Sequence, residues 1–305
     1  MTDNSLHIAI DFFTTRFLNS KQLSMNLDKA KHLATCIADT ALSLAKIAFL
    51  SKWSVKVPAE KGDLVILGNG PSLNTTLNRS RRFVMNCHRL AVNFAASAPV
   101  FRELKPNHYV LADPHFFRNT DNANVAKLWL ALSQVDWDMN LFVPANVTIA
   151  GDVADVLAEN PHISLVRYNL TPVEGAHWLE NWAFARGLGM PRPRNVLIPS
   201  LMIALLCGYN KIYVAGADHS WTKTLSVDDN NNVVSIQPHF YREDEKEVKR
   251  VNTEYMHYPL HQILYSFYVA FRSYHTIERF ARHINRQIIN ITPESFIDAF
   301  TRKKL

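Results

Sequence analysis

Short apolar runs recur along the chain after Asp63, and polar or helical segments separate them. The runs are rich in β-branched and aromatic residues: LVILG, RFVMN, HYVLAD, LFVPA, SLVRY, KIYVAG and QIINIT. Each run predicts a strand, and several of the intervening segments carry helical spacing. Strands that alternate with helices predict an α/β fold: a Rossmann-like, mostly parallel sheet with helices on both faces.

The first 58 residues follow a different pattern, in which apolar residues recur at helical spacing from Leu27 to Phe49. A shorter amphipathic piece, LHIAIDFFTTRFL, precedes it. We predict an N-terminal helical extension over residues 1–58 and a catalytic domain over residues 59–305. Two alternatives stay open for the extension. Its helices pack on the main domain, or their apolar faces, edged by lysines, contact a membrane surface or a second copy in a homo-oligomer.

Charge and cysteine content limit the partners and the cellular location that the sequence predicts. The formal net charge is +6 and the sequence pI is about 9.2. Such a balance suits an anionic substrate or membrane surface, but the basic residues are dispersed and no reader motif occurs, so we predict no nucleic-acid partner. Cys36, Cys87 and Cys207 lie far apart without a CxxC motif, as is typical of reduced thiols in a cytosolic protein. No signal peptide or membrane-spanning run is predicted, so we expect a cytoplasmic location, peripheral on the inner membrane face if the extension docks there.

The stretch DLVILGNGPSLNTTL raises the first chemical question, because a strand ends in a polar turn that contains glycines. It matches neither the P-loop nor the GxGxxG fingerprint. Its amides and the start of the following helix favour a phosphate group. Gly68, Asn69, Gly70 and Ser72 are therefore candidates for nucleotide binding.

Polar residues also end other predicted strands, and in a parallel sheet these ends converge on one crevice. The further candidates are Asn86 after FVM, Asp113 after YVLA, Ser200 after NVLIP, and Gly216, Asp218, His219 and Ser220 after YVA.

These motifs together carry a resemblance. The block VILGNGPSL, the residue Asn86 and the block PSLMIALLCGYNKIYVAGADHSW look like the bacterial sialyltransferases of glycosyltransferase family 42. They resemble more loosely a related domain family that includes 6-hydroxymethylpterin pyrophosphokinases. The first resemblance implies inverting transfer of a sugar from a nucleotide sugar, most simply a CMP-sugar, to a glycan or glycolipid acceptor of a bacterial surface structure such as lipopolysaccharide or capsule.

The resemblance also implies residue roles. Asn69, Gly70, Ser72 and Asn86 would contact the nucleotide, and Ser200, Gly216 and Asp218 match further family positions. The family has Asn where this chain has Asp113, which changes the charge beside the donor. It has Tyr where this chain has Ser220, so the departing phosphate would meet Ser220 and His219 instead.

Catalysis by inversion needs a base, and the resemblance points to a histidine just before the late helix. The segment NTEYMHYPLHQILYSF offers His257, our first choice, and His261. Residues 222–252, which include an Asn-rich turn and a charge run, are expected to form a lid. The family uses no metal and no other cofactor, and no DxD motif follows an early strand, so none is predicted.

Two other functions remain open. One is a Mg²⁺-dependent pyrophosphokinase or another nucleotide-phosphoryl enzyme, with Asp113 and Asp218 as metal ligands. The other is a nucleotide-binding module without catalytic activity.

Overall fold

A computed structural model describes residues 28–118, 122–234 and 258–305. Its centre is a sheet of eight parallel strands: β1 (Asp63–Leu67), β2 (His88–Val92), β3 (His108–Val110), β4 (Met139–Pro144), β5 (Ile163–Tyr168), β6 (Lys211–Ala215), β9 (Gln287–Asn290) and β10 (Thr301–Arg302). The order across the sheet is β10-β9-β6-β1-β2-β3-β4-β5. Strands β7 (Ser226–Val227) and β8 (Val233–Val234) form a separate hairpin around the Asn-rich turn.

Helices cover both faces of this sheet. They are α1 (Asp28–Leu50), α2 (Ser72–Met85), α3 (Val100–Leu104), α4 (His115–Arg118), α5 (Ala123–Ser133), α6 (Gly151–Glu159), α7 (His177–Ala185), α8 (Leu197–Cys207) and α9 (Leu260–His283). Leu64 and Ile66 of β1 pack with α7, α8 and α9, whereas Val65 and Leu67 pack with α2. This alternation follows from the two-residue period of a strand. The predicted α/β class with helices on both faces is confirmed.

Strand β1 lies where the strand order reverses direction. The chain proceeds from β1 through β2, β3, β4 and β5 on one side, and places β6, β9 and β10 on the other. In sheets of this type the loops after the strands at the reversal point diverge and leave a crevice, which is the usual ligand site. The loops after β1 and β6 follow the two strands at this reversal point.

The prediction of a strand at RFVMN is wrong. These residues form the C-terminal part of α2, whose backbone is non-helical at Ser80, and the second strand is HRLAV instead. A short run of Phe, Val and Met fits a helix as well as a strand, so periodicity does not separate the two. The difference moves Asn86 to the C-cap of α2, ahead of the amino end of β2.

Helix α1 contacts the domain through a narrow polar face. The Thr40 hydroxyl accepts a hydrogen bond from Ala176 N at 2.8 Å, and the Ser43 hydroxyl donates to the carbonyl of Glu174 at 2.8 Å. Ile47 is the one large α1 side chain buried in the main core among the described residues. The predicted helix therefore exists. The apolar residues at helical spacing, which we call its apolar stripe, do not form the face that packs on the domain: Ala30, Leu33, Ala34, Ile37, Ala41, Leu44 and Ala48. The other predicted N-terminal helix, LHIAIDFFTTRFL, lies outside the described residues.

Candidate functional site

The turns after β1 and β6 approach each other so closely that three positions have no room for a side chain. A Cβ added at Gly68 would lie 2.5 Å from the Gly216 carbonyl oxygen, and one at Gly216 would lie 2.6 Å from the Gly68 carbonyl oxygen. Gly216 also has a φ of +67°, a conformation that favours glycine. The Gly70 amide donates to the Gly216 carbonyl at 2.8 Å and joins the two turns.

Side chains extend this connection. The Ser72 hydroxyl donates to Asp218 Oδ2 at 2.7 Å, and a Cβ on Gly70 would lie only 1.9 Å from the same oxygen. Helix α2 begins at Ser72 and has no acidic residue in its first turn. The amino end of a helix of this length attracts anions. The structure thus brings Gly68, Asn69, Gly70, Ser72, Gly216 and Asp218 into one cluster at the strand reversal.

Asn93 is a member of this region that sequence reasoning missed. It follows β2 directly, has a left-handed φ of 51°, and its Oδ1 is buried without a hydrogen-bond partner among the described residues. Asn69 Nδ2 donates to the carbonyl of the preceding Val92 at 3.3 Å, which places Asn93 next to the turn after β1. The sequence does place Asn93 directly after the apolar run HRLAV, as expected of a residue at the end of a strand. The strand predicted at RFVMN assigned this role to Asn86 instead.

Three predicted site residues do not join the cluster. Asn86 is exposed at the opposite edge of the sheet, since it precedes β2 and does not follow it. Ser200 is completely buried in α8 and its hydroxyl donates to the Val196 carbonyl at 2.7 Å, so its surroundings are those of a packing residue. Asp113 does follow β3, but its Oδ1 accepts the His115 amide at 2.8 Å and so begins α4.

The two histidines proposed as the base also have different outcomes. His257 lies outside the described residues. His261 is exposed in the first turn of α9, and 13 residues of that helix separate it from Tyr274, a contact of His219. At 1.5 Å per residue this is roughly 20 Å along the axis. His261 is therefore remote from His219, although its end of α9 packs near a later part of the loop after β6.

His219 sits in a constrained network. Its φ of 50° is unusual for a side-chain-bearing residue, and its ring stacks on Trp221 with centroids 4.3 Å apart. His219 Nδ1 lies 2.9 Å from the Tyr274 hydroxyl, and burial lowers the pKa of His219 to about 3. The imidazole is therefore neutral at physiological pH.

The Tyr274 hydroxyl lies near two acceptors, His219 Nδ1 at 2.9 Å and Asn195 Oδ1 at 3.1 Å, and Asn195 Nδ2 donates to the Tyr274 oxygen at 2.8 Å. In the tautomer of His219 whose proton is on Nε2, Nδ1 accepts the Tyr274 hydrogen and Nε2–H is a hydrogen-bond donor. Tyr274 and Asn195 were not predicted, because they come from elements distant in sequence from the loop after β6.

The loop after β9 supports the loop after β6 from the other side. The Ser295 hydroxyl donates to the Ala217 carbonyl at 2.7 Å, and the Phe296 amide donates to the Asp218 carbonyl at 2.9 Å. The Ala217 amide donates to the Thr292 hydroxyl at 3.1 Å. These bonds fix the backbone that presents Asp218 and His219.

The described part of the predicted lid, residues 222–234, packs on α9 together with Trp221, which precedes it. Trp221, Leu225 and Val233 contact Ile263 and Phe267, and the Trp221 ring stacks on Phe267 with centroids 5.2 Å apart. Ser220 lies half-buried between His219 and this aromatic group. The rest of the predicted lid, from residue 235 onward, lies outside the described residues.

Within residues 28–118, 122–234 and 258–305, the structure has no group of three or more His, Cys, Asp or Glu side chains placed to hold a metal ion. Asp113 and Asp218, the carboxylates considered as Mg²⁺ ligands, are engaged with the His115 amide and the Ser72 hydroxyl.

Comparison with known proteins gives little further information. No protein-family model and no curated protein matches the chain. A solved structure, that of the MAf glycosyltransferase from Magnetospirillum magneticum AMB-1, has a similar fold, with a TM-score of 0.47 and 10% identity over 88% of this chain. The chain spans 38% of the length of that protein. A similarity at this level decides neither the family nor the activity of the chain.

Proposed function

We propose that this chain is a metal-independent inverting glycosyltransferase that takes its sugar from a nucleotide sugar, with a CMP-sugar as the first candidate. The observation that supports the proposal most is the joined pair of turns after β1 and β6. Gly68, Gly70 and Gly216 let the two backbones meet there, beside the amino end of α2. A closely packed glycine turn next to a helix start suits the phosphate of a nucleotide.

In this proposal the cluster holds the donor and stabilises the departing nucleotide. The amino end of α2 lies near the phosphate, and Asn93 supplies its amide to the nucleotide, the role expected from Asn86. Neutral His219 offers Nε2–H to a phosphate oxygen, and Ser220 is a second donor. Hydrogen-bond donors that are already oriented lower the barrier because they need not reorganise as charge develops.

His257 remains our proposed base for the acceptor hydroxyl, because it lies close in sequence to the start of α9 and histidine titrates near neutral pH. His257→Ala is expected to lower turnover by about 10²-fold or more while donor binding stays within about twofold. The control is His261→Ala, which is expected to retain activity. Equal turnover of His257→Ala and the wild type would remove His257 from the mechanism.

The function is tested by incubating the protein with CMP-, UDP- and GDP-sugars, with and without EDTA, and measuring nucleotide release by chromatography. Release from one donor class that EDTA leaves unchanged is the expected result. Activity that EDTA abolishes and Mg²⁺ restores would favour a phosphoryl-transfer enzyme instead. Nucleotide binding without release from any donor would indicate a binding module.

A further inference from the structure

The apolar stripe of α1 lies outside every contact that the described residues make with this helix. Leu33, Ile37 and Leu44 are 62%, 61% and 45% exposed, and the alanines that accompany them in the stripe are exposed as well. The helix Asp28–Leu50 is long and apolar enough to cross a membrane by length and composition, with a mean hydropathy of 1.6 and 11% burial over its most apolar window. An exposed apolar surface of this extent marks a contact site in most proteins.

The turn that follows α1 is held rigidly while its large side chains face solvent. The Ser51 hydroxyl donates to the Leu188 carbonyl at 2.6 Å, and Asn169 bonds both the amide and the carbonyl of Lys52. Asn146 Nδ2 donates to the Leu50 carbonyl at 2.8 Å. These contacts fix the backbone, whereas Phe49 is 86% exposed and Trp53 is 63% exposed.

Aromatic and basic residues meet at this turn, and we call the group the tryptophan patch: Phe49, Leu50, Trp53, Trp178, Trp182, Lys46, Lys52 and Arg186. The rings of Trp53 and Trp182 contact each other edge-on at 6.1 Å, and the Arg186 guanidinium lies 5.2 Å from the Trp182 ring. Trp178, 64% exposed, lies one turn before Trp182 on α7. Tryptophan beside lysine and arginine is typical of side chains that sit at the boundary between lipid headgroups and acyl chains.

The charged side chains of the tryptophan patch are all basic. No acidic residue occurs between Thr40 and Ala59, and Glu180, the acidic residue of α7, is buried and paired with Arg279. Lys46, Lys52 and Arg186 form no ion pair with any described residue. We propose that the tryptophan patch and the apolar stripe of α1 dock on the surface of an anionic lipid bilayer.

A second copy of the chain fits this surface less well. Symmetric pairing places the same patch on both sides of the interface, so that the basic side chains Lys46, Lys52 and Arg186 of one copy would face the same basic set of the other. Like charges in that position oppose association, whereas an anionic lipid surface attracts each basic residue. The charge pattern therefore favours the bilayer over a dimer.

The position of the patch relates it to the candidate site. Asn146 follows β4 and Asn169 follows β5, so the turn after α1 is attached at the carboxyl edge of the sheet. The loops after β1 and β6, which form the candidate site, lie at the same edge. A bilayer bound at the patch thus lies toward the edge from which a lipid-linked acceptor would reach the candidate site. The docking itself does not depend on the proposed transfer reaction.

The experiment is flotation of the full chain with vesicles of phosphatidylcholine, alone and with about one third phosphatidylglycerol, at about 0.1 M salt. We expect binding to the anionic vesicles only. F49S/W53S is expected to weaken it by about tenfold or more through lost apolar burial, and K46Q/K52Q by a similar factor through lost attraction. The control L130S/K127Q removes an exposed leucine and an exposed lysine from α5, and it is expected to bind like the wild type.

Several outcomes would overturn the proposal. They are no binding to anionic vesicles, equal binding by F49S/W53S and the wild type, or equal weakening by the α5 control. Light scattering that shows a dimer which F49S/W53S dissociates, without vesicle binding, would assign the patch to a second copy instead. Quenching of tryptophan fluorescence by brominated acyl chains, reduced in F49S/W53S, reports insertion independently of the flotation. Circular dichroism establishes that each variant is folded.

Discussion

Gly70 is the residue at which packing and proposed binding are most tightly connected. Alanine at this position would place its Cβ 1.9 Å from Asp218 Oδ2 and 2.7 Å from the Gly216 carbonyl oxygen. The Asp218 carboxylate would have to move and release Ser72, and the Gly216 backbone would have to shift. We expect Gly70→Ala to lower the free energy of unfolding by about 1–3 kcal/mol, as overpacked sites do.

The same substitution is expected to weaken nucleotide binding by at least about tenfold, since the two turns can no longer meet. Urea unfolding and calorimetric titration measure the two effects. Gly151→Ala is the matched control, because a Cβ there meets nothing within 4 Å. Wild-type stability and binding in Gly70→Ala would mean that the close approach of the turns has no functional role.

A second test compares Asn93, which we propose contacts the nucleotide, with Asn86, to which sequence analysis assigned that contact. Asn93→Gly keeps the left-handed backbone without strain and removes the buried amide. We expect it to reduce donor affinity by about tenfold, the effect of losing one or two hydrogen bonds. Asn86→Gly, which changes an exposed helix C-cap, is expected to bind the donor normally. If Asn86→Gly binds less tightly than Asn93→Gly, the assignment is reversed.

At the scale of elements, the start of helix α2 could be predicted from the sequence, whereas its end could not. The turn at Gly68–Ser72 was predicted because glycine, proline and serine after a buried apolar run are typical of a turn. The end of α2 was not predicted, since RFVMN has the composition of a strand. Asn86 was displaced with it, whereas Asp218 and Gly216 were not, because KIYVAG is a strand by both composition and length.

Strand β3 carries a buried histidine whose ionisation bears on stability. His108 contacts the Tyr209 hydroxyl through Nε2 at 2.7 Å, and burial, with a smaller contribution from His88, lowers the pKa of His108 to about 4. A carboxylate oxygen of Glu60 lies 3.8 Å from His88 Nδ1. In the unfolded chain the pKa of His108 returns to about 6.5.

Between these two values the unfolded chain binds a proton that the folded protein does not. Stability therefore falls as the pH decreases from about 6.5 toward 4, and at pH 7 the effect is nearly absent. The loss attributable to His108 between pH 7 and pH 5 is about 2 kcal/mol. Urea unfolding at both pH values is expected to show a difference smaller by about this amount in His108→Gln.

His283→Gln provides the control for this pH effect, because His283 is exposed near the end of α9. It is expected to keep the wild-type pH dependence. The same dependence in His108→Gln would show that His108 ionises as freely in the folded protein as in the unfolded chain.

At the scale of the whole molecule, the parallel sheet could be predicted from the sequence, but only some of the contacts between its loops and helices could. Alternating strands and helices imply parallel pairing, and parallel pairing implies a crevice at the strand reversal. The sequence does not contain the order of the strands. The Tyr274–His219 contact, which joins α9 to the loop after β6, depends on that order and could not be read from local pattern.

The N-terminal extension also shows that contacts between elements cannot be predicted from local sequence pattern alone. Helical spacing from Leu27 to Phe49 predicted α1 correctly, but the usual expectation that an apolar stripe faces the core does not hold here. Thr40, Ser43 and Ser51 make the contacts with the domain instead. Which face of a helix is buried depends on its partners as well as on its own composition.

An X-ray structure of the protein with a bound nucleotide sugar, beginning with a CMP-sugar, tests the proposed donor site most directly. We expect the donor phosphate within hydrogen-bonding distance of the turn that contains Gly70 and Ser72, with the nucleotide beside Asn93 and His219 Nε2 directed at a phosphate oxygen. A donor bound at another place on the molecule, or crystals that take up no nucleotide at millimolar concentration, would contradict this expectation.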